Sequence, residues 1–330
     1  MNSFGTLFKV QIFGESHGEA IGVVIDGLPA GLSLRKEEFS NDLARRKGGA
    51  TGTTSRVEEE QIEFLSGLFN GKSTGTPLTA IVHNRNTTPL DYELHQSIPR
   101  PGHADFTAKI KHHGNNDYRG GGHHSGRLTI ALIMAGVVAK KLLGAISIHS
   151  EILHIGGVKP WDSSLQKAME EGDSLGGVIE CRVKGLPVGI GEPFFNSIES
   201  MIAHIVFSIP GIRGIEFGDG FKAAEMKGSA HNDPIISSDG TTSRNGAGGI
   251  NGGFSNGNEL VFRTAIKPTC SIGKEQESYN FATGNIEKFT IKGRHDACFA
   301  LRTPVVIEAA TAIALADLMM LASAADTLSR

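Results

Sequence analysis

The sequence has few cysteines and little excess of charge of either sign. Its three cysteines are scattered, without a Cys-x-x-Cys pair, which argues against a disulfide framework and fits a reducing cytoplasm. With 32 basic and 35 acidic residues the net charge is −3, so a general nucleic-acid or membrane-surface binder is disfavoured. We therefore predict a cytoplasmic protein without nucleic-acid or membrane partners.

Long uninterrupted apolar segments are absent as well. The two most apolar stretches, Leu128–Ala139 and Pro304–Ala325, are bounded or broken by charged residues. Neither is therefore expected to span a bilayer, and both are predicted to be buried helices. Residues 1–18 lack the apolar run of a signal peptide, and no targeting signal is visible.

The familiar nucleotide-binding loops are also missing. The segment Ser66–Ser73 comes near to a phosphate-binding loop, but only three residues separate Gly67 from Gly71 where four are required. Two other glycine-rich stretches, near residues 120 and 246, lack the third glycine of the dinucleotide fingerprint. A P-loop NTPase is therefore disfavoured.

Six of the 13 histidines cluster at positions 17, 103, 112–113 and 123–124. No pair has the helical i, i+4 spacing with a third carboxylate ligand that zinc sites use, so no metal is predicted. Histidine near several arginines more naturally serves in acid–base chemistry or in anion binding.

What the sequence does contain is a mixed pattern of strands and helices over its whole length. Apolar periodicity predicts strands at 7–13, 21–25, 62–65, 79–83, 146–155, 177–183 and 259–266, and helices at 36–46, 128–143, 197–207 and 304–325. No repeat or low-complexity linker divides the chain, so residues 1–330 are predicted to form a single intertwined α/β (α+β) domain. The segment 84–118 is loop-like and unusually long, which is typical of a functional loop.

The stretch Arg119–Arg127 is the most informative part of the chain. Its three adjacent glycines, 120–122, allow positive φ angles and a close approach of the backbone to a ligand. A helix is predicted to follow directly, and a helix N-terminus presents free N–H groups to an anion. The flanking arginines add fork-shaped donors that match carboxylate or phosphate. We predict an anion site here.

Other basic residues also lie in glycine-rich or turn-like contexts, namely Arg45, Arg46, Lys47, Lys267 and Arg294. Basic residues clustered in a slightly acidic chain indicate a small polyanionic ligand. The last of them opens the sequence Arg-His-Asp before the final predicted helix. Its Asp296 is either part of a capping ion pair or a proton acceptor beside a cationic ligand site.

Several blocks in a fixed order make the sequence resemble the chorismate synthase family. Three of them are Phe-Gly-Glu-Ser-His-Gly at 13–18 with Asp-Gly-Leu-Pro at 26–29, the glycine-rich stretch at 120–127 with Ala-Gly at 135–136, and Arg-His-Asp at 294–296 with Glu-Ala at 308–309. Between them lie Arg-Pro-Gly-His-Ala-Asp at 100–105 and Lys-Pro-Thr at 267–269. The resemblance covers essentially the whole chain.

The resemblance implies a reaction, a cofactor and a fold. Chorismate synthases convert 5-enolpyruvylshikimate 3-phosphate to chorismate by 1,4-anti elimination of phosphate, the last common step of the shikimate pathway to the aromatic amino acids. They require reduced FMN, share a β-α-β sandwich fold and assemble as homotetramers. The two carboxylates and the phosphate of this substrate match the concentrated arginines, because departing phosphate needs positive charge. The sequence leaves open whether the final helix lies in a core or in an interface.

The resemblance also implies roles for individual residues. The implied catalytic residues are His17 and His103, as acids toward the leaving phosphate or the flavin, and Asp296, which helps to remove the C6 proton. Binding of the substrate or NADP is implied for Arg45, Arg46, Arg119 and Arg127. Binding of FMN is implied for His123, His124, Ser125, Pro210, Gly211, Gly252, Lys267, Pro268, Thr269, Cys270, Ser271 and Arg294.

The chain departs from the family pattern in two loops. Where many relatives have Arg-Ser-Ser-Ala-Arg, residues 123–127 read His-His-Ser-Gly-Arg, so we expect flavin contacts there from backbone or imidazole. The loop that leads to Thr53 is one residue shorter, and Gly52 or a gap replaces an arginine.

Because no dinucleotide fingerprint is present, we expect FMN to be reduced by an external donor, although Arg46 suits an NADP phosphate. The alternative of a flavin or polyanion binder without catalysis is disfavoured, because all three implied catalytic residues are present.

Overall fold

The computed structural model describes residues 2–87, 89–291, 293 and 295–328. Its strands are β1 (Ser3–Phe4), β2 (Lys9–Gly14), β3 (Ala20–Asp26), β4 (Ile62–Ser66), β5 (Leu68–Phe69), β6 (Lys72–Ser73), β7 (Leu78–His83), β8 (Ser147–Ile155), β9 (Gly177–Lys184), β10 (Ile212–Phe217), β11 (Ile250–Asn251), β12 (Phe254–Ser255), β13 (Leu260–Ile266), β14 (Gln276–Asn280) and β15 (Asn285–Phe289). Its α-helices are α1 (Ser40–Arg46), α2 (Asp105–Lys111), α3 (Thr129–Leu143), α4 (Asp162–Glu170), α5 (Ile198–Val206), α6 (Gly228–His231) and α7 (Pro304–Leu328).

Two antiparallel sheets form the outer layers of the fold. The first has the strand order β1-β2-β3-β7-β4, and the second has the order β10-β13-β9-β8. In the first sheet Val23 of β3 pairs with Ile12 on one side and with Ala80 on the other. Alternate residues of β3, Ile21, Val23 and Ile25, are buried, so one face of this sheet packs on the interior.

Helices α3 and α7 fill the layer between the two sheets. Helix α3 packs on β2 and β3, α7 packs on β8 and β9, and the two helices pack along each other. Both are buried on nearly every face over their central turns, as expected for helices covered on all sides. Their backbones come close at Gly136, where a Cβ atom would overlap Ala309. The β-α-β layering implied by the family resemblance is thus confirmed.

Two buried carboxylates of α7 connect it to both sheets. Asp317 accepts hydrogen bonds of 2.7–2.9 Å from three successive backbone N–H groups, at residues 6–8, between β1 and β2. Glu308 accepts hydrogen bonds from Nη1 and Nη2 of Arg45, each at 2.7 Å, and from the backbone N–H of Ser150 in β8 at 2.9 Å. The charges that interrupt this apolar segment therefore satisfy buried partners.

Helix α7 is a core helix of this chain. It is the one helix among the described residues long and apolar enough to cross a membrane, but 78% of the relevant window is buried inside the chain itself.

The predicted strands and long helices are confirmed within one to three residues. The prediction that 84–118 is entirely loop is wrong, because it contains a 3-10 segment, Pro89–Gln96, and α2. Helix α2 buries only Ala108, so apolar periodicity gave no signal for it.

Candidate active site

A cavity of about 890 Å³ opens at the N-terminal end of α3. Most of its wall comes from the segments 46–60, 92–127, 204–213, 267–271 and 295–302. Eight arginines and lysines and five aspartates and glutamates line it. The wall therefore carries three more cationic than anionic groups, in a chain whose net charge is −3. Such a cavity favours a small polyanionic ligand.

The glycine run predicted to approach a ligand lies in this wall. Gly120, Gly121 and Gly122 have φ angles of 59°, 81° and 54°, a region that favours glycine. The loop then leads through a short 3-10 turn, Gly126–Leu128, into α3. The carbonyl of Gly122 accepts the backbone N–H of Ser16 at 3.1 Å. A Cβ atom at Gly120 would overlap the imidazole of His17, so glycine is needed here for close packing.

His17 lies directly behind this loop rather than on the cavity surface. It is 8% exposed, its Nδ1 is 3.2 Å from the Ser16 hydroxyl, and its ring packs edge-on against Tyr92. Ser16, Gly120 and Tyr92 all line the cavity. Burial first, and then the positive charge of Arg56, lowers the pKa of His17 to about 4. The imidazole is therefore neutral at pH 7 in the ligand-free chain.

His103 is itself part of the cavity wall. Its Nε2 is 2.8 Å from the hydroxyl of Ser271, which belongs to the segment predicted to bind FMN. Burial first, and then the nearby Arg100, lowers the pKa of His103 to about 3. Arg100 is itself held by Asp105 through two bonds of 2.8 and 2.7 Å. This histidine is also neutral at pH 7.

Asp296 is a buried carboxylate in a fixed orientation. Its Oδ1 accepts hydrogen bonds from Nε of Arg302 and from the backbone N–H of Thr54, both at 2.9 Å. Its Oδ2 accepts a hydrogen bond from Nη2 of Arg302 at 2.8 Å. The side chain lines the cavity and is 8% exposed as a residue. The ion pair left open by the sequence therefore exists, with Arg302 as the partner, and it positions the carboxylate at the cavity. The role as a proton acceptor stays a prediction.

Three arginines and two glutamates form one ion-paired cluster in the wall. Arg127 contacts Glu58 at 3.0 Å and Glu60 at 3.4 Å, Arg46 contacts Glu60 at 3.2 Å, and Arg56 pairs with Glu58. Burial would raise the pKa of Glu58, but a backbone N–H together with Arg127 and Arg56 outweighs it and lowers the pKa. Both carboxylates thus hold guanidinium groups in place.

Arg46 is the most deeply engaged member of this cluster. It is 3% exposed, and its guanidinium also donates to the hydroxyl of Thr129 at 2.9 Å and to the carbonyls of Gly126 and Arg127 at 3.1 and 3.3 Å. Burial first, and then the neighbouring Arg302, lowers its pKa to about 9. Most of its N–H groups therefore already have protein partners.

Most of the residues predicted to bind FMN share the cavity wall. This set comprises His123, His124, Ser125, Pro210, Gly211, Lys267, Pro268, Thr269, Cys270 and Ser271. The Oγ1 of Thr269 is buried without a hydrogen-bond partner among the described residues. The Nδ1–H of His123 donates to the carbonyl of Gly14 at 2.8 Å, which leaves its Nε2 for a ligand. Arg294 lies outside the described residues.

Three predicted binding residues do not line the cavity. Arg45 turns away from it to pair with Glu308. Arg119 is held at 2.8 Å by the neighbouring Asp117, with its side chain 38% exposed. Gly252 lies in the turn between β11 and β12, outside the residues that form the wall. Their binding roles stay predictions.

Sequence reasoning gave no role to several charged residues that the fold brings into the wall. These are Arg56, Glu58, Glu60, Arg100, Asp105, Asp117, Arg213 and Arg302. A signal was available for Arg56, Glu58 and Glu60, because these residues alternate with the exposed Val57 and Glu59. A period of two places their charges on one face of an extended segment. Among the described residues no group of three or more histidine, cysteine or acidic side chains is placed to hold a metal ion.

Comparisons with known proteins agree with this architecture. The family model for chorismate synthase matches residues 8–320. A chorismate synthase from Chitinophaga pinensis is 56% identical over 322 residues, 97% of each chain, and one from Methanocaldococcus jannaschii is 41% identical over 97% of this chain and 96% of its own length. A crystal structure of chorismate synthase matches with a TM-score of 0.74 at 27% identity, over 96% of this chain and 93% of that one. The chain therefore belongs to the chorismate synthase family of lyases.

Proposed function

We propose that the cavity binds 5-enolpyruvylshikimate 3-phosphate together with FMN and expels phosphate by 1,4-anti elimination, within one domain formed by residues 1–330. The observation that carries the proposal is the cationic wall, with eight basic residues against five acidic ones. The substrate has two carboxylates and a phosphate, and the departing phosphate requires fixed positive charge. The side chains of Lys47 and Arg213 have no hydrogen bond or ion pair to any described residue, so both are free to contact such an anion.

The residues of the wall fit a flavin mononucleotide. The unpartnered Oγ1 of Thr269 is a buried group that a ring carbonyl or ring N–H would satisfy. Lys267, whose ammonium donates to the carbonyl of Gly102 at 2.9 Å, supplies positive charge beside it. Gly211 and the imidazoles of His123 and His124 complete this side of the cavity. When bound, reduced FMN supplies an electron that assists C–O cleavage and takes it back afterwards.

His17 and His103 are the proposed proton donors. Their pKa values of about 4 and 3 make them neutral in the ligand-free chain, so neither can donate a proton at pH 7 before an anion binds. A bound phosphate or carboxylate raises a neighbouring imidazole pKa by direct attraction. Ligand binding therefore increases the protonated fraction of both imidazoles, and more so for His17, whose pKa in the ligand-free chain is the higher of the two.

Asp296 is the proposed acceptor for the C6 proton. Its orientation is fixed by Arg302 and by the backbone N–H of Thr54. Among the described residues its Oδ2 accepts a single hydrogen bond, from Nη2 of Arg302 at 2.8 Å. That oxygen keeps a lone pair for a proton, and Arg302 stabilises the carboxylate until the proton arrives.

The source of electrons is proposed to lie outside this chain. Arg46, the residue implied for NADP, already donates to four protein acceptors, so an NADP phosphate would have to displace them. We therefore expect turnover with dithionite-reduced FMN and no sustained turnover with NADPH alone. The homotetramer and the cytoplasmic location are likewise proposed from family membership.

An anaerobic assay tests the proposed reaction. Purified chain, FMN, dithionite and substrate should yield chorismate and inorganic phosphate in equal amounts. Binding of both ligands without release of phosphate would contradict the proposal and favour a non-catalytic binding protein.

Variants at the two histidines test their roles. His17→Ala and His103→Ala should each lower turnover by about 10²–10⁴-fold, the range for a positioned general acid. His83→Ala is the matched control, because that side chain is 48% exposed and pairs with Glu63 at the end of β7. Circular dichroism should show the same fold in all three. Turnover like that of the wild type in either test variant would remove that histidine from the mechanism.

A further inference from the structure

One oxygen of the Glu60 carboxyl group is buried without a partner. The side chain is 3% exposed, and its Oε2 makes no hydrogen bond to any described residue. Glu60 is also part of the cavity wall. Buried polar atoms in native proteins are nearly always hydrogen-bonded, so an unpartnered acceptor at a ligand cavity indicates a group on the ligand that completes it.

The other oxygen of Glu60 fixes the orientation of the group. Its Oε1 accepts hydrogen bonds from Nη1 of Arg46 at 3.2 Å and from Nη1 of Arg127 at 3.4 Å. Both arginines are held in turn, by the hydroxyl of Thr129 and by Glu58 respectively. The carboxyl group cannot exchange its two oxygens without breaking and remaking both ion pairs. Oε2 is therefore a preorganised acceptor rather than a group that turns to find a partner.

Glu60 lies in the part of the wall where the proposed chemistry takes place. The charges that act on Arg46 include Arg302, Glu60, Arg127 and Asp296. The unpartnered oxygen thus belongs to the same charged group of residues as the proposed proton acceptor. A ligand atom that meets it lies near the reacting part of the substrate.

The chemistry of the substrate selects the group that meets this oxygen. Two carboxylates and a phosphate offer acceptors only, and a carboxylate repels all three. The remaining polar group on the ring is one hydroxyl, at C4, which can donate. We propose that Glu60 Oε2 accepts a hydrogen bond from this hydroxyl and thereby sets the orientation of the ring, with the anionic groups directed to the arginines. The inference rests on the proposed function and adds a positioning residue to it.

The experiment compares the substrate with its 4-deoxy analogue. Dissociation constants are measured by calorimetry on the full chain with oxidised FMN, which prevents turnover. The wild type should bind the substrate about 10–100-fold more tightly than the analogue, as expected for a hydrogen bond to a charged acceptor. Glu60→Ala should lose this preference. Glu60→Gln should reduce it to below about 5-fold, because the arginines hold the amide oxygen and the amide N–H can offer the hydroxyl oxygen only a neutral hydrogen bond in place of the one to a charged acceptor.

Glu59→Gln is the matched control. Glu59 is the exposed neighbour on the opposite face of the segment, and its variant should keep the full preference for the hydroxyl. Circular dichroism and FMN binding identify folded protein, and the isosteric Glu60→Gln serves the test if Glu60→Ala does not fold.

Three results would overturn the inference. One is a wild type that binds substrate and analogue equally. Another is a folded Glu60 variant that keeps the wild-type preference. The third is an equal loss of affinity for both ligands, which would show a structural role only. A wild type that binds no substrate at all would instead overturn the proposed function, and the inference with it.

Discussion

Binding of the anionic substrate should be accompanied by uptake of a proton at His17. Burial first, and then Arg56, lowers its pKa to about 4 in the ligand-free chain, so about one molecule in a thousand is protonated there at pH 7. Raising that pKa to about 7 requires about three units, or about 4 kcal/mol, of attraction to the bound anion. One unit charge about 4 Å away supplies about this energy at an effective dielectric constant of about 20.

The direction of the pH effect follows from these values. His103 starts from a pKa of about 3, so the same attraction leaves it near 6 and mostly neutral at pH 7. For His17 the pKa is higher in the complex than in the free chain. The added affinity is therefore fully present below about pH 4, decreases progressively between about pH 4 and 7, and is lost as the pH rises through about 7. Uptake should fall from almost one proton at about pH 6 to about a tenth at about pH 8.

Calorimetry in two buffers of different ionisation enthalpy measures this uptake directly. At pH 7 the wild type should take up about half a proton more than His17→Gln. The phosphate of the substrate also titrates near pH 6, but it contributes equally to both proteins and cancels in the difference. His103→Gln should behave like the wild type. Equal uptake by the wild type and His17→Gln, or loss of uptake in His103→Gln, would refute the assignment of the proton to His17.

The remaining predictions concern packing and the placement of charged groups. Gly136→Ala should lower the free energy of unfolding by about 1–3 kcal/mol in urea, because the new Cβ overlaps both the Cβ and the Cα of Ala309; adding Ala309→Gly should recover only part of this loss, because the Cα of residue 309 still lies 2.6 Å from the new Cβ, and unchanged stability of Gly136→Ala would contradict the contact. Asp317→Asn should cost about 2–3 kcal/mol in the same assay, because an oxygen that accepts buried backbone N–H groups becomes a donor. Arg127→Ala should lower kcat/KM by at least about 100-fold, whereas Arg45→Ala should change it by less than about 3-fold and lower stability by about 1–2 kcal/mol; equal losses of kcat/KM would contradict the placement of Arg45 outside the cavity.

The layers of the fold were predictable because their signals are local. The segments at 128–143 and 304–325 are apolar on nearly every face, which is typical of a helix with neighbours on all sides. The family resemblance supplied the sandwich order, and the antiparallel pairing within each sheet became visible only in the structure. The charge at Glu308 and Asp317 lies in a helix that is mostly buried inside the chain, as the sequence predicted. The sequence could not show what these charges bind, because Glu308 pairs with β8 and Asp317 with the β1–β2 connection, both more than 150 residues away along the chain.

The two adjacent arginines at the end of α1 show where resemblance alone was insufficient. Consecutive residues of an α-helix point about 100° apart, so both cannot face the same ligand equally. Arg46 points to the cavity cluster and Arg45 points to Glu308. The resemblance predicted that both arginines bind an anion, whereas helix geometry places Arg46 of the two in the cavity wall.

The segment before β4 has a sequence pattern from which its position in the cavity wall could have been predicted. Residues 56, 58 and 60 are buried or half-buried, whereas Val57 and Glu59 are exposed. A period of two is typical of an extended chain with one inward face. When the inward face is charged instead of apolar, it cannot be packing against a hydrophobic core, so the pattern indicates a polar cavity.

The acidic residues among the arginines of the cavity set their geometry rather than abolish their charge. Glu58 and Glu60 pair with three guanidinium groups, those of Arg46, Arg56 and Arg127, so the cluster keeps one positive charge. Without the two carboxylates the guanidiniums would repel one another and spread apart. With them, a departing phosphate meets donors that are already held in place, and preorganised charge of this kind stabilises a transition state most effectively. The clustering of basic residues in the sequence therefore predicts a polyanionic ligand, whereas the acidic residues between them fix the positions of the guanidinium groups that would contact it.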